Sequence, residues 1–138
     1  MEELEILEQV ARDDIDFLEE SINEFNYDAT DIRDGRELGI FVRDGDGTIV
    51  AGLYGWTWGA CLQVEYLWVA AAMRGRDYGT RLLGAAEAEA RSRGCVLAVL
   101  DTHSFQAPKF YARLGYAVVG TVDGYPRGHA QHYLSKPL

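Results

Sequence analysis

The fifteen residues from Val69 to Leu83, V-A-A-A-M-R-G-R-D-Y-G-T-R-L-L, set two glycines and two arginines between an apolar run and an amphipathic one. A helix that starts after such a loop leaves its first backbone N–H groups without partners and carries the positive end of its dipole. Gly75 and Gly79 allow close approach to those amides, and Arg74 and Arg76 add positive charge. The combination suits a phosphate or diphosphate. An ordinary strand-to-helix turn with surface arginines has the same composition, so the loop alone does not decide.

A second group of residues suits a cationic amine. Tyr54, Trp56 and Trp58 alternate along one predicted strand and share a face. Tyr66 and Trp68 share a face of the next. Such aromatics either bind a cation over their rings or fill a core against helices. Cys61 and Cys95 lack metal-type spacing and read as reduced packing residues, so no metal is expected.

The elements that must hold these groups follow from periodicity and turn residues. Residues 3–10 read as a first strand or the start of a helix. Residues 12–26 place Ile15, Phe17, Leu18, Ile22 and Phe25 at helical spacing among acids. Residues 37–43 read as a strand, Asp44-Gly45-Asp46-Gly47 as a hairpin turn, and 48–58 and 61–70 as two further strands. A helix over 78–93 buries Leu82, Leu83, Ala86 and Ala90 and stops at Gly94. The apolar run 95–101 reads as a strand buried on both faces beside a parallel neighbour, which makes a βαβ crossover. A helix over 105–114 tolerates Pro108 in its first turn. Residues 116–122 and 129–135 close the chain as two strands around the turn D-G-Y-P-R-G. The fold class is α/β, or α+β with a mixed sheet: mostly antiparallel, six to seven strands, three to four flanking helices and one parallel crossover.

With 138 residues, the chain reads as a single domain, 1–138. The net charge of −9 argues against nucleic acid as a partner. Residues 1–34 carry 13 acidic and 2 basic side chains, so the remainder is slightly basic. The acidic third either attracts a cationic small molecule or is a solvated helix face. No apolar stretch is long enough to span a bilayer, and M-E-E-L-E-I-L-E lacks the basic and apolar regions of a signal peptide. The expectation is a cytoplasmic protein with no membrane partner.

Three segments together resemble the GCN5-related N-acetyltransferase (GNAT) superfamily over nearly the full length. Val64-Glu65-Tyr66-Leu67-Trp68-Val69 is similar to the family's fourth strand. Arg74-Gly75-Arg76-Asp77-Tyr78-Gly79 resembles the signature Q/R-x-x-G-x-G/A. Ala107 to Tyr116, A-P-K-F-Y-A-R-L-G-Y, resembles the segment A-x-x-x-Y-x-x-x-G-F/Y. The resemblance implies an acyl-CoA N-acyltransferase fold and acetyl-CoA as co-substrate. It places backbone groups of Arg74, Gly75, Arg76, Asp77, Tyr78, Gly79 and Thr80 on the CoA diphosphate. It places those of Leu67, Trp68 and Val69 along the pantetheine arm, which lies like an added strand where the family's fourth and fifth strands part. Asp77 stands where glycine is usual; its carboxylate caps the helix or faces the phosphates. Ser104 stands where many relatives place a CoA-contacting asparagine, and it can still donate a hydrogen bond.

The implied reaction is attack of a neutral amine on the thioester carbonyl. The amine must lose a proton, the developing oxyanion wants a donor, and the departing thiolate wants a proton. By resemblance, Glu65 is the candidate base, acting through water, with a surface carboxylate paired to an arginine as the alternative. Tyr111 is the candidate acid, with a core tyrosine as the alternative, and the Val69 N–H is the oxyanion donor. Acceptor contacts are expected from Tyr54, Trp56, Tyr125 and His129, with His103 undecided. The activity implied is transfer of an acetyl group to a small-molecule amine, with a peptide or protein amine also open. A non-catalytic acyl-CoA-binding module with the same fold is the competing reading, and a homodimer is left open.

Overall fold

The computed structural model describes residues 2–138. They fall into two compact units, one up to Arg33 and one from Asp34 to Leu138. The first holds a single helix, α1 (Arg12–Thr30). Two acids, Asp13 and Asp14, occupy its first turn, where they oppose the helix dipole favourably. It ends as Asp31 turns left-handed and gives its N–H to the Tyr27 carbonyl. The apolar stripe Ile15, Phe17, Leu18, Ile22 and Phe25 is exposed. Residues 3–10 form neither a strand nor a helix, so neither the first strand nor the helix start expected there is found.

The second unit is a six-stranded sheet with two helices. In chain order it runs β1 (Arg36–Arg43), β2 (Ile49–Trp58), β3 (Cys61–Val69), a 3₁₀ turn (Ala71–Met73), α2 (Tyr78–Ser92), β4 (Leu97–His103), α3 (Pro108–Arg113), β5 (Ala117–Asp123) and β6 (Ala130–Pro137). The spatial order is β1-β2-β3-β4-β6-β5. Only β3 and β4 are parallel, because α2 carries the chain back between them. The mixed sheet expected from the pattern is thus present with six strands, and every predicted element of this unit is found to within a few residues.

The core lies on one face of the sheet, under α2. Leu38, Ala51, Leu53, Leu62, Val64, Ala98, Leu100 and Leu134 point into it and meet Leu82, Leu83, Ala86 and Ala90 of the helix. Leu53, Leu62, Leu83 and Leu134 are almost fully excluded from water. Each contributes roughly 1.5–3 kcal/mol by leaving it. Arg93 ties the end of α2 to the sheet, donating to the Glu37 carbonyl and to Thr57 Oγ1, both at 3.1 Å. Among the described residues no helix is long and apolar enough to cross a membrane.

Two departures from a regular sheet prepare the site. The β2–β3 register slips between Tyr54 and Gly55, which pair with Tyr66 and Val64, so Glu65 is the extra residue of a bulge. Gly55 permits it: a Cβ there would overlap the Gln63 carbonyl oxygen. The second departure is the end of the β3–β4 ladder. Pairing covers only Cys61–Leu97, Leu62–Ala98 and Gln63–Val99. Beyond Gln63 and Val99 the two strands part while each stays paired to its other neighbour.

Candidate active site

The parting of β3 and β4 leaves one edge of β3 without a partner. Ala70 N–H donates to the Val50 carbonyl at 2.8 Å, and Ala51 lies opposite Val69. Antiparallel pairs alternate between bonded and non-bonded, so the backbone groups of Val69 and Leu67 turn away from β2, toward the gap. Those of Trp68 turn toward β2. Of the three residues expected along an extended ligand arm, Leu67 and Val69 therefore offer their amides and Trp68 does not. The Val69 carbonyl is already taken, since Arg74 Nε donates to it at 3.2 Å. The same contact folds the Arg74 side chain against the strand end.

At the start of α2 the chain turns sharply. Gly75 has φ +78°, and a Cβ on it would meet nothing within 4 Å. Asp77 takes the left-handed conformation itself, at φ 66°, and its carboxylate makes no capping hydrogen bond. The expected cap is therefore absent, and Asp77 fills a glycine-like backbone position by tolerating it. The first bond inside the helix runs from Arg81 N–H to the Asp77 carbonyl at 3.1 Å. The N–H groups of Tyr78, Gly79 and Thr80 meet no acceptor among the described residues. They open onto a cavity of about 410 Å³ lined by Val69, Met73, Arg74, Gly75, Asp77, Tyr78, Gly79, Thr80, Phe110, Arg113 and Leu114.

Six of the lining residues were expected from the loop, and Val69 from the strand before it; Arg76 is not among them. The far wall was not expected. It comes from α3, whose Phe110, Arg113 and Leu114 lie three and four apart and so share one face. Gly79 lets α2 and α3 meet closely, because a Cβ on it would stand 3.1 Å from the Phe110 ring. Arg113 brings a further cation, and helical spacing from Phe110 is the signal that could have found it.

Tyr111 is not part of that lining. Its side chain is buried, 8% exposed, with its ring edge-on to Phe110 and Tyr116. Burial pushes its phenol above the ordinary tyrosine range, and the Asp101 carboxylate adds to the shift. Tyr111 therefore carries its proton at neutral pH. Tyr116 beside it donates to Glu87 Oε2 at 2.7 Å, and Lys136 Nζ meets both Glu87 oxygens at 3.0 Å. Burial first, then this bond, raises the Tyr116 phenol strongly. This trio, with Glu87 and Tyr116 buried and Lys136 half-buried, links α2, the segment after α3, and β6. Glu65, at the bulge, is exposed and makes no hydrogen bond or ion pair among the described residues. The arginine partner that would have marked it as an ordinary surface carboxylate is absent there.

On the sheet face opposite the core, Tyr54 stacks near Tyr66 at 6.5 Å and meets Trp56 edge-on at 6.2 Å. Trp68 lies exposed on the same face. A separate group joins the end of β4 to the β5–β6 turn. His103 stacks on Phe105 at 5.4 Å and meets Tyr125 at 5.2 Å, and Phe105 meets His129 at 5.0 Å. His103 Nδ1 lies 3.2 Å from the Tyr125 carbonyl. Sequence reasoning singled out Tyr125, His129 and His103 but missed Phe105, which joins them. Ser104 accepts the Ala130 N–H on its Oγ at 3.0 Å and gives its own N–H to the Ala130 carbonyl at 2.8 Å. Its hydroxyl proton remains able to donate. Among the described residues no group of three His, Cys, Asp or Glu side chains could hold a metal ion.

A sheet opened between two parallel strands, with unpartnered helix amides at one end of the opening, is the frame of an acyltransferase of the acetyl-CoA type. The sequence matches the Acetyltransferase (GNAT) family over residues 4–116. It is 43% identical over 96 residues to blasticidin-S acetyltransferase of Streptomyces morookaense, covering 67% of this chain and 68% of that one. It is 38% identical over 103 residues to acetyltransferase Atu2258 of Agrobacterium fabrum, covering 75% of each. A crystal structure of an acetyltransferase from Bacillus cereus superposes with a TM-score of 0.79 at 31% identity, covering 97% of this chain and 98% of that one. The chain belongs to the GNAT family and is an N-acetyltransferase.

Proposed function

We propose that this protein transfers an acetyl group from acetyl-CoA to the primary amine of a small molecule, using one domain that spans residues 1–138. The observation that carries the reading is the cavity at the start of α2, which adjoins the unpaired edge of β3. The residues present fit a diphosphate: three free amides at a helix N-terminus with Arg74 and Arg113 in the lining. The residue that does not fit is Asp77, an acid in the same lining. Acetyl-CoA would supply the acetyl group as an activated thioester.

The chain's own groups then divide the work. The amides of Tyr78, Gly79 and Thr80 hold the diphosphate. Leu67 and Val69 offer the strand edge to the pantetheine arm, and the Val69 N–H stands as donor for charge developing on the carbonyl oxygen. Glu65 takes the amine proton through water. Tyr111 holds a proton at its Oη for the departing sulfur; burial keeps it there. The aromatic face around Tyr54 and Trp56, with Tyr125 and His129 of the β5–β6 turn, meets the acceptor. The name of the Streptomyces relative supports a small antibiotic amine as the acceptor class.

The test is amine-dependent release of free thiol from acetyl-CoA, with blasticidin S and a panel of aliphatic primary amines as probes. Saturable thiol release with at least one amine is expected. Tight acetyl-CoA binding with no release across the panel would instead favour a sensor, and absence of binding by titration calorimetry would overturn the donor site.

A further inference from the structure

We propose that the Asp101 carboxylate is the anchor for the positively charged amine of the acceptor. The assignment rests on the transferase reading above and gives it a second acidic residue distinct from Glu65.

Register places Asp101 at the opening. Val99 is the last residue of β4 paired to β3, and Asp101 lies two residues further on, the same side of the strand. Its neighbours Leu100 and Thr102 are buried in the core, so Asp101 faces away from it. Pairing of Gln63 with both Val99 and Trp56 puts Asp101 on the sheet face that carries Trp56, Tyr54 and Tyr66. A carboxylate and an aromatic wall therefore share one open surface at the mouth of the gap. That pairing of charge and rings suits an ammonium group.

The carboxylate is also aimed. Gln131 Nε2 donates to Asp101 Oδ2 at 2.8 Å, and the Gln131 carbonyl oxygen in turn accepts the Tyr133 hydroxyl at 3.2 Å. Two neutral side chains thus fix its orientation without neutralising it. No lysine, arginine or histidine among the described residues pairs with it, and the residue is exposed. The field of the same carboxylate also reaches the Tyr111 phenol, the proposed proton donor, and raises it. Glu65 has no such support and sits at a bulge. Gln131 and Tyr133 are positioning residues in this arrangement; Asp101 touches substrate. The role is one of binding and involves no covalent step.

The test uses the full chain and whichever probe amine turns over, blasticidin S included. Asp101→Asn is expected to raise the KM for the amine roughly ten- to a hundredfold, the loss of one charged hydrogen bond. The Kd for acetyl-CoA should stay within about twofold and kcat should change much less than KM. Asp101→Glu keeps the charge and should restore most of the lost affinity. Added salt should raise the wild-type KM and leave that of the Asn variant nearly flat. An unchanged KM in the Asn variant would overturn the assignment, and so would parallel loss of amine and acetyl-CoA affinity. Wild-type protein that releases no thiol with any amine would overturn the transferase reading itself, and this assignment with it.

Discussion

Two single residues of the proposed mechanism are shaped by their surroundings. Tyr111 is held protonated by its burial, in a setting made by Phe110, Tyr116 and the field of Asp101. Replacing Tyr111 with Phe should lower kcat by roughly a hundredfold, the usual scale of one general acid, with acetyl-CoA affinity nearly unchanged. Stopped-assay thiol release and calorimetry read the two quantities separately. Asp77 holds a left-handed backbone angle that glycine adopts freely, and the residue is part of the cavity lining. Asp77→Gly should therefore relieve backbone strain of about 1 kcal/mol and remove a charge repelling a diphosphate. Tighter acetyl-CoA binding and a slightly higher Tm are expected; weaker binding would mean that the carboxylate helps rather than hinders.

At the scale of elements, the helices are fixed by groups far from the cavity. Glu87 lies on α2, Lys136 on β6 and Tyr116 just after α3, and their contact holds both helices that wall the donor site. Breaking a buried ion pair from one side leaves a stranded charge. Glu87→Leu should cost roughly 3 kcal/mol in urea unfolding, and adding Lys136→Met should recover part of it. The β2–β3 pair depends in the same way on Gly55. An alanine there collides with the Gln63 carbonyl and cannot keep the bulge at Glu65. Gly55→Ala should lower stability by more than about 1 kcal/mol, and circular dichroism during thermal unfolding reads it.

Much of this architecture could be read before the coordinates. The Asp44–Gly47 turn, the apolar stripe of α2 and the apolar run into β4 are local signals, and each element stands where they put it, but β4 is buried on one face only, with Leu97 and Asp101 exposed. The features that escaped depend on partners distant in the chain. The bulge needs Gly55 opposite Val64, Arg113 needs α3 to pack on α2, and Phe105 needs the β5–β6 turn beside it. Asp101 reads as an ordinary polar residue at the end of an apolar strand until the register shows which face it joins. Residues 3–10 carry mixed signals, and the chain there adopts no regular element.

For the whole molecule, the two buried phenols set an alkaline limit. Tyr111 and Tyr116 ionise above the ordinary tyrosine value of 10.0 while folded, Tyr116 far above it. In the unfolded chain they ionise near that value, so the folded state binds more protons once pH passes it. Stability is thus unaffected by these groups below about pH 10 and falls as pH rises beyond. Urea unfolding measured from pH 8 to pH 11 should show the decline, and Tyr116→Phe should flatten it. A decline equally steep in that variant would place the alkaline sensitivity elsewhere.

The paired main-chain and hydroxyl contacts between Ser104 and Ala130 fasten the β5–β6 turn to the tip of β4, while the cavity proposed for the donor is lined by the end of β3, the loop after it, α2 and the α3 segment. On the proposed function, the part of the acceptor site supplied by this turn is separable from the grip on the donor. Grafting residues 124–129 from a relative with another specificity should retarget the enzyme toward a different amine without rebuilding the nucleotide cradle.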